Sequence, residues 1–151
     1  MNPQYAYGEI HYEIFRWMME YNLFGQGTTL TANKLVMLPR AHLKSHMVAT
    51  WTAWIVTKHP EITILYLSAT SGLAETQLYA IKNILTSEPY RHFFPEYINP
   101  QEGKREQWNN TKISIDHKAR SKMGIRDATI CLLYTSPSPR DLSTSRMPSS
   151  A

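Results

Sequence analysis

Cysteine is almost missing from this chain: Cys131 stands alone among 151 residues. It has no partner for an internal disulfide, and no Cys or His lies beside it at the spacing of a structural zinc site. Long apolar runs are missing too. None approaches the roughly 20 residues needed to cross a bilayer, and the opening MNPQYAYGEI lacks the basic and apolar parts of a secretory signal. These absences predict an intracellular protein with no membrane role. Charge of one sign is not in large excess, since a net +4 and a pI near 9.2 permit a polyanionic partner without requiring one. The length and the 42% apolar content suffice for one sizeable core, which predicts a single domain.

What the chain does carry is concentrated in residues 35–46, LVMLPRAHLKSH. A short apolar stretch stops at Pro39, and Lys44 and Ser45 stand at the head of a second apolar run. The predicted order is strand, turn, helix. A lysine followed by a hydroxyl residue at such a turn suits a phosphate-binding loop, where backbone N–H groups and the positive helix end face an anion. Lys44 would reach the phosphate oxygens and the Ser45 hydroxyl would ligate Mg²⁺. Leucines 38 and 43 occupy the positions where the general pattern G-x-x-x-x-G-K-[ST] has glycine. A Cβ resists the backbone conformations that glycine permits, so a strained or wider loop is expected.

Around this loop the periodicity predicts an α/β unit. A helix over 8–22 puts Ile10, Ile14, Trp17, Met18 and Tyr21 on one face. Residues 25–31, GQGTTLT, form a connection, and 34–38 a buried strand stopped by Pro39. A mostly buried helix follows, with Met47, Val48, Trp51, Trp54 and Ile55 on one face and Ala49 and Ala53 allowing close packing elsewhere. The apolar run 62–67, ITILYL, suits a strand covered on both faces, which makes 34–67 a parallel strand, crossover helix, strand unit. Ser71 is placed to cap a helix through Leu73, Leu78, Ile81 and Leu85, ended by Pro89. Beyond it come a turn-rich aromatic segment at 90–97, an exposed polar stretch at 101–110, a half-buried strand at 112–116 and a solvated basic run, HKARSK, at 117–122. Residues 124–129 return to the interior.

From Cys131 the composition changes. The segment 131–151 holds three of the nine prolines and six serines, and disorder is expected there. It also resembles the conceptual translation of sequencing-adapter DNA. That likeness predicts a natural domain over 1–130 whose continuation has been replaced; without Arg140, Asp141 and Arg146 the net charge falls only from +4 to +3.

Three features of the residues point to nucleotide binding: the Lys-Ser pair after a strand, the apolar helix behind it, and a second strand ending in Ser68, Ala69 and Thr70. In open α/β sheets ligands bind beyond the carboxyl ends of strands, where both loops are predicted. The run LPRAHLKSHMVATWTAWIVTKHPEITILYLSATSGLAETQLYAIKNIL resembles the N-terminal ATPase region of the large terminase subunit of tailed bacteriophages, over about residues 9–130. That family commonly has a deviant Walker A loop with an arginine ahead of Lys-Ser or Lys-Thr, which PRAHLKS matches.

The resemblance implies a P-loop NTPase-type α/β fold, a mostly parallel sheet flanked by helices and cut before the Walker B strand. It implies that Pro39, Arg40, Ala41, His42, Leu43, Lys44 and Ser45 bind ATP. Lys44 would hold the β- and γ-phosphates, Ser45 would hold Mg²⁺, and Arg40 would stabilise charge on the transferred phosphoryl group, a role worth about 10³ to 10⁵ in rate elsewhere. Ser68, Ala69 and Thr70 would couple nucleotide state to DNA contacts. The implied partners are double-stranded DNA, the portal protein, the small terminase subunit and further copies in a ring, in the host cytoplasm and transiently at the procapsid portal. The acidic Walker B pair and the nuclease domain have no counterpart in this chain, so the fragment alone is expected to be inactive.

Blander readings apply to the neighbouring residues. His42 and His46 read as solvent-facing or packing residues, the tryptophans as core, and Asp116 and Asp127 as poorly placed substitutes for a Walker B acid. HKARSK could touch DNA phosphate. A helicase-like DNA-dependent ATPase and a non-catalytic DNA-binding module are the competing functions, and salt-dependent DNA binding indifferent to ATP would favour the latter.

Overall fold

The structure is a computed structural model that describes residues 7–19, 35–105 and 107–134. In chain order it comprises α1 (Glu9–Met19), α2 (Lys44–Lys58), β1 (Ile64–Ser68), α3 (Ser71–Thr86), α4 (Glu88–Phe93), a 3-10 turn at Glu102–Lys104, β2 (Lys112–Ile113), α5 (Lys118–Lys122) and β3 (Ile130–Tyr134). The predicted positions 20–22 of the first helix, the connection 25–31 and Lys34 fall outside the described residues.

The class is mixed α/β. The three strands lie in the order β1-β3-β2, with β1 parallel to β3 from Ile64 opposite Ile130 to Ser68 opposite Tyr134, and β2 antiparallel to β3. The expected mostly parallel sheet is thus half antiparallel among the described residues. Three expectations about its strands are corrected. Residues 35–38 form no strand: Leu35 and Met37 are 78% and 80% exposed, and no described strand offers that stretch a ladder of partners. The strand–helix–strand unit 34–67 is therefore absent in its predicted form. Second, β1 is covered on one face only, since Ile64, Tyr66 and Ser68 are half-buried while Leu65 and Leu67 are 57% and 64% exposed. Third, Cys131 to Tyr134, expected to open a disordered tail, continue the middle strand, because all four pair with β1 and Cys131 also with β2.

The core lies between the sheet and two helices. Ala74, Leu78, Ile81 and Leu85 recur at spacings of four, three and four, so they form one stripe of α3 facing inward. Ala49, Ala53 and Val56 of α2 meet them, joined by Ile113, Ile115 and Ile130. The small residues decide how α2 is turned. With only a methyl at 49 and 53, α3 can approach closely, and bulky Trp54 is left 43% exposed rather than in the core.

Caps and clamps fix the ends. Thr70, rather than Ser71, caps α3 by accepting from the Leu73 amide at 3.4 Å. Ser87 ends α3 and starts α4, donating to the Ile84 carbonyl at 2.7 Å and accepting from the Tyr90 amide at 3.4 Å, with Pro89 in the first turn of the new helix. In the segment expected to be polar and exposed, Trp108 is half-buried against the core, with the Lys82 ammonium and the Arg105 guanidinium 5.6 Å and 4.9 Å from its ring. The basic run is helix α5, and its Arg120 is buried. The guanidinium donates to the carbonyls of Pro60 at 3.0 Å, Ile62 at 2.8 Å and Asp127 at 2.5 Å, tying the entry to β1 to the entry to β3. Among the described residues no helix is long and apolar enough to cross a membrane.

Candidate functional site

Residues 39–46 line a hollow of about 470 Å³ at the start of α2. Its walls follow from the backbone. Ala41 and Leu43 have φ of +66° and +51°, and residues 40, 42 and 44 between and beside them do not, so φ alternates in sign along the turn. Such alternation turns successive N–H groups towards one concavity, the arrangement that binds anions in phosphate loops. Leu43 is the N-cap of α2 and supplies no side-chain cap. The first helical bond runs from the Met47 amide to the Leu43 carbonyl at 2.9 Å, so the amides of Lys44, Ser45 and His46 have no acceptor within the helix. Leucine at 43 therefore takes the left-handed conformation that glycine would adopt without cost.

The side chains complete the hollow. Lys44 is half-buried and folds back over the turn, where its ammonium donates to the Pro39 carbonyl at 3.0 Å and to the Leu38 carbonyl. Arg40 and Ser45 are exposed at the rim. His42 closes the turn locally, Nδ1 lying 3.0 Å from the Arg40 carbonyl oxygen. His46, expected to be a bystander, lines the hollow, and its Nδ1 lies 2.5 Å from the hydroxyl of Tyr7. No sequence pattern pairs two residues so far apart, and this contact could not be anticipated.

The hollow's place in the fold follows from the helix ends. Thr57 Oγ1, next to the last residue of α2, lies 2.6 Å from the Tyr90 hydroxyl, and the Tyr97 hydroxyl donates to the Thr57 carbonyl at 2.8 Å. Tyr90 lies just beyond the end of α3, so α2 and α3 run side by side in the same sense. The first turn of α2 accordingly lies towards the end of the fold where β1 hands over to α3, the carboxyl end of the parallel pair. Ser68, Ala69 and Thr70 form that handover: Ser68 is the last residue of β1, and Thr70 is occupied as the cap of α3. Among the described residues no hydrogen bond joins them to residues 39–45.

Among the described residues no group of three or more His, Cys, Asp or Glu could hold a metal ion. Asp116 has a structural task, since its Oδ2 accepts from the Asn99 amide at 2.8 Å, and β3 contains no acidic residue. No protein-family model matches the chain, and no curated protein sequence or solved structure is significantly similar to it.

Proposed function

We propose that this chain is the phosphate-gripping part of an ATP-driven motor of the terminase large-subunit kind, in which ATP hydrolysis drives double-stranded DNA into a procapsid. One observation carries the reading: the turn 39–45 combines alternating φ, an uncapped helix start and a lysine folded over the mouth. Those are the parts that hold a triphosphate, whose charge is met by oriented amides and one mobile ammonium. Lys44 would leave its carbonyl partners for the β- and γ-phosphates, exchanging neutral acceptors for charged ones. Arg40, exposed at the rim, would meet the γ-phosphate. Ser45 would hold Mg²⁺, which supplies further neutralisation of the phosphate charge.

The same reading limits what these residues do alone. Phosphoryl transfer to water needs a carboxylate that holds the metal and a group that orients the nucleophile, and neither lines the loop among the described residues. On this reading the loop accounts for nucleotide binding and not, by itself, for turnover. The small subunit, the portal, the ring of copies and the cytoplasmic setting belong to that whole motor and are proposed with it.

Titration of the full chain with Mg·ATP, beside its Lys44→Ala variant, tests this. Binding that weakens about 10- to 100-fold in the variant is expected for loss of charged hydrogen bonds. Equal affinity removes the assignment of Lys44, and DNA binding indifferent to both ATP and Lys44 replaces the motor with a non-catalytic DNA-binding module.

A further inference from the structure

The hollow has a support just ahead of a different helix. Tyr7 stands two residues ahead of α1, and its hydroxyl lies 2.5 Å from His46 Nδ1. Thr50 flanks both, its Oγ1 at 3.4 Å from the Tyr7 hydroxyl and 3.4 Å from His46 Nδ1. The single Thr50 proton is committed, because that hydroxyl donates to the His46 carbonyl at 2.9 Å. Only lone pairs remain on Thr50 for the other two groups. A Tyr7 O–H aimed at Nδ1 finds an acceptor there when the imidazole carries no proton on that nitrogen. A neutral imidazole that accepts at Nδ1 carries its proton on Nε2.

Tyr7 is itself held. Its ring packs edge-on to Phe15 at 5.5 Å between centroids and lies 5.6 Å from the ring of His11, which is buried in α1. The hydroxyl is thus presented from a fixed direction, set by the docking of α1 on α2. His46 belongs to the first turn of α2 and lines the hollow together with Arg40 and Lys44. Resting on the phosphate-loop reading, we propose that Tyr7 is a positioning residue for that hollow: by donating to His46 Nδ1 it fixes the imidazole as an Nε2–H donor, a third anion-binding side chain beside Arg40 and Lys44. The ligand chemistry is that of a polyphosphate, and α1 becomes part of the site without touching the ligand.

The test uses the full chain and inorganic tripolyphosphate, a probe with neither base nor sugar, so that any effect of Tyr7 must act through the phosphate hollow. Tyr7→Phe removes only the hydroxyl. His46→Asn keeps an acceptor near the place of Nδ1 and loses the Nε2 donor. Each single variant is expected to weaken binding about 3- to 10-fold, the range of one hydrogen bond. The double variant should bind no more weakly than His46→Asn alone, because Tyr7 acts through His46. Wild-type affinity in Tyr7→Phe, or losses that multiply in the double variant, would overturn the proposal. So would a Tyr7→Phe chain that melts earlier yet binds normally well below its midpoint, since that marks a purely structural role. Lys44→Ala, measured in parallel, separates the two readings. If it binds as wild type, the phosphate loop fails and this inference with it; if it weakens binding while Tyr7→Phe and His46→Asn do not, only the inference falls.

Discussion

The ammonium of Lys44 lies 3.0 Å from the carbonyl oxygen of Pro39, five residues earlier, so the lysine at the head of α2 closes the turn that leads into it. Under the proposed function the contact would link loop shape to phosphate affinity through one side chain. Lys44→Ala should cost only ~1 kcal/mol in stability, because the bond is solvent-exposed and α2 is anchored elsewhere by Ala49, Ala53 and Val56. Urea titration checks this. A loss above about 3 kcal/mol would show that the lysine holds the fold rather than the ligand.

Backbone strain in the turn gives a prediction of opposite sign. Ala41 is exposed at φ +66°, where its Cβ gains no packing and meets the left-handed penalty. Ala41→Gly should raise stability by about 0.5–1 kcal/mol, net of the entropy that glycine adds to the unfolded chain. Gly124, at φ +67° in the turn after α5, should lose a similar amount as Gly124→Ala. Parallel denaturation curves of the two variants displaced in opposite directions are expected.

Arg120 should be among the most sensitive positions. It is 3% exposed, and its removal leaves three carbonyls without their donor. Arg120→Ala is expected to cost about 3–5 kcal/mol, and Arg120→Lys should rescue little, because a single ammonium cannot reproduce the planar fork. Loss of the cooperative thermal transition in both variants checks this, and a Lys variant as stable as wild type would count against it.

Alkaline pH should unfold the chain partly through Tyr66. Burial raises its phenol above the ordinary value of 10.0, because the phenolate is poorly solvated there. The folded pKa thus exceeds the unfolded one, so the folded state holds its proton longer. The stabilisation is fully present below pH 10.0 and is lost as pH rises through the raised folded value. Tyr66→Phe should be nearly neutral at pH 7 and should shallow the fall in stability above pH 10, as followed by far-UV circular dichroism across a pH series.

The helices were legible from their own residues, since the stripe from Ala74 to Leu85 and the pair Ala49 and Ala53 carry a helical period that no distant neighbour need supply. Strand pairing was not legible. Residues 35–38 look like a buried strand by composition, yet a strand needs a partner, and the ladder of β1 goes to residues 130–134 instead. Those four residues after Ile130 were hidden by averaging them with the proline- and serine-rich residues behind them, although CLLY alone has the apolar and aromatic character of a strand. Lys44 and Ser45 line one hollow with residues 39–43, a grouping that follows from their order along the chain, and the strain expected of Leu43 is present as its φ of +51°. His46 and Arg120 escaped because their partners, Tyr7 and the Pro60 and Ile62 carbonyls, lie 39, 60 and 58 residues away. Nothing local marks either as more than a polar surface residue.

The central claim is that the amides of the turn and of the first turn of α2 hold a triphosphate. Amide nitrogen and proton shifts of the ¹⁵N-labelled full chain, recorded on addition of Mg·ATP, test it most directly. The account predicts that the largest, saturable shifts fall on residues 41–46 and vanish in Lys44→Ala. Shifts centred on another surface, such as the cleft lined by Arg91, His92 and Pro95, or shifts at 41–46 that persist undiminished without Lys44, would contradict it.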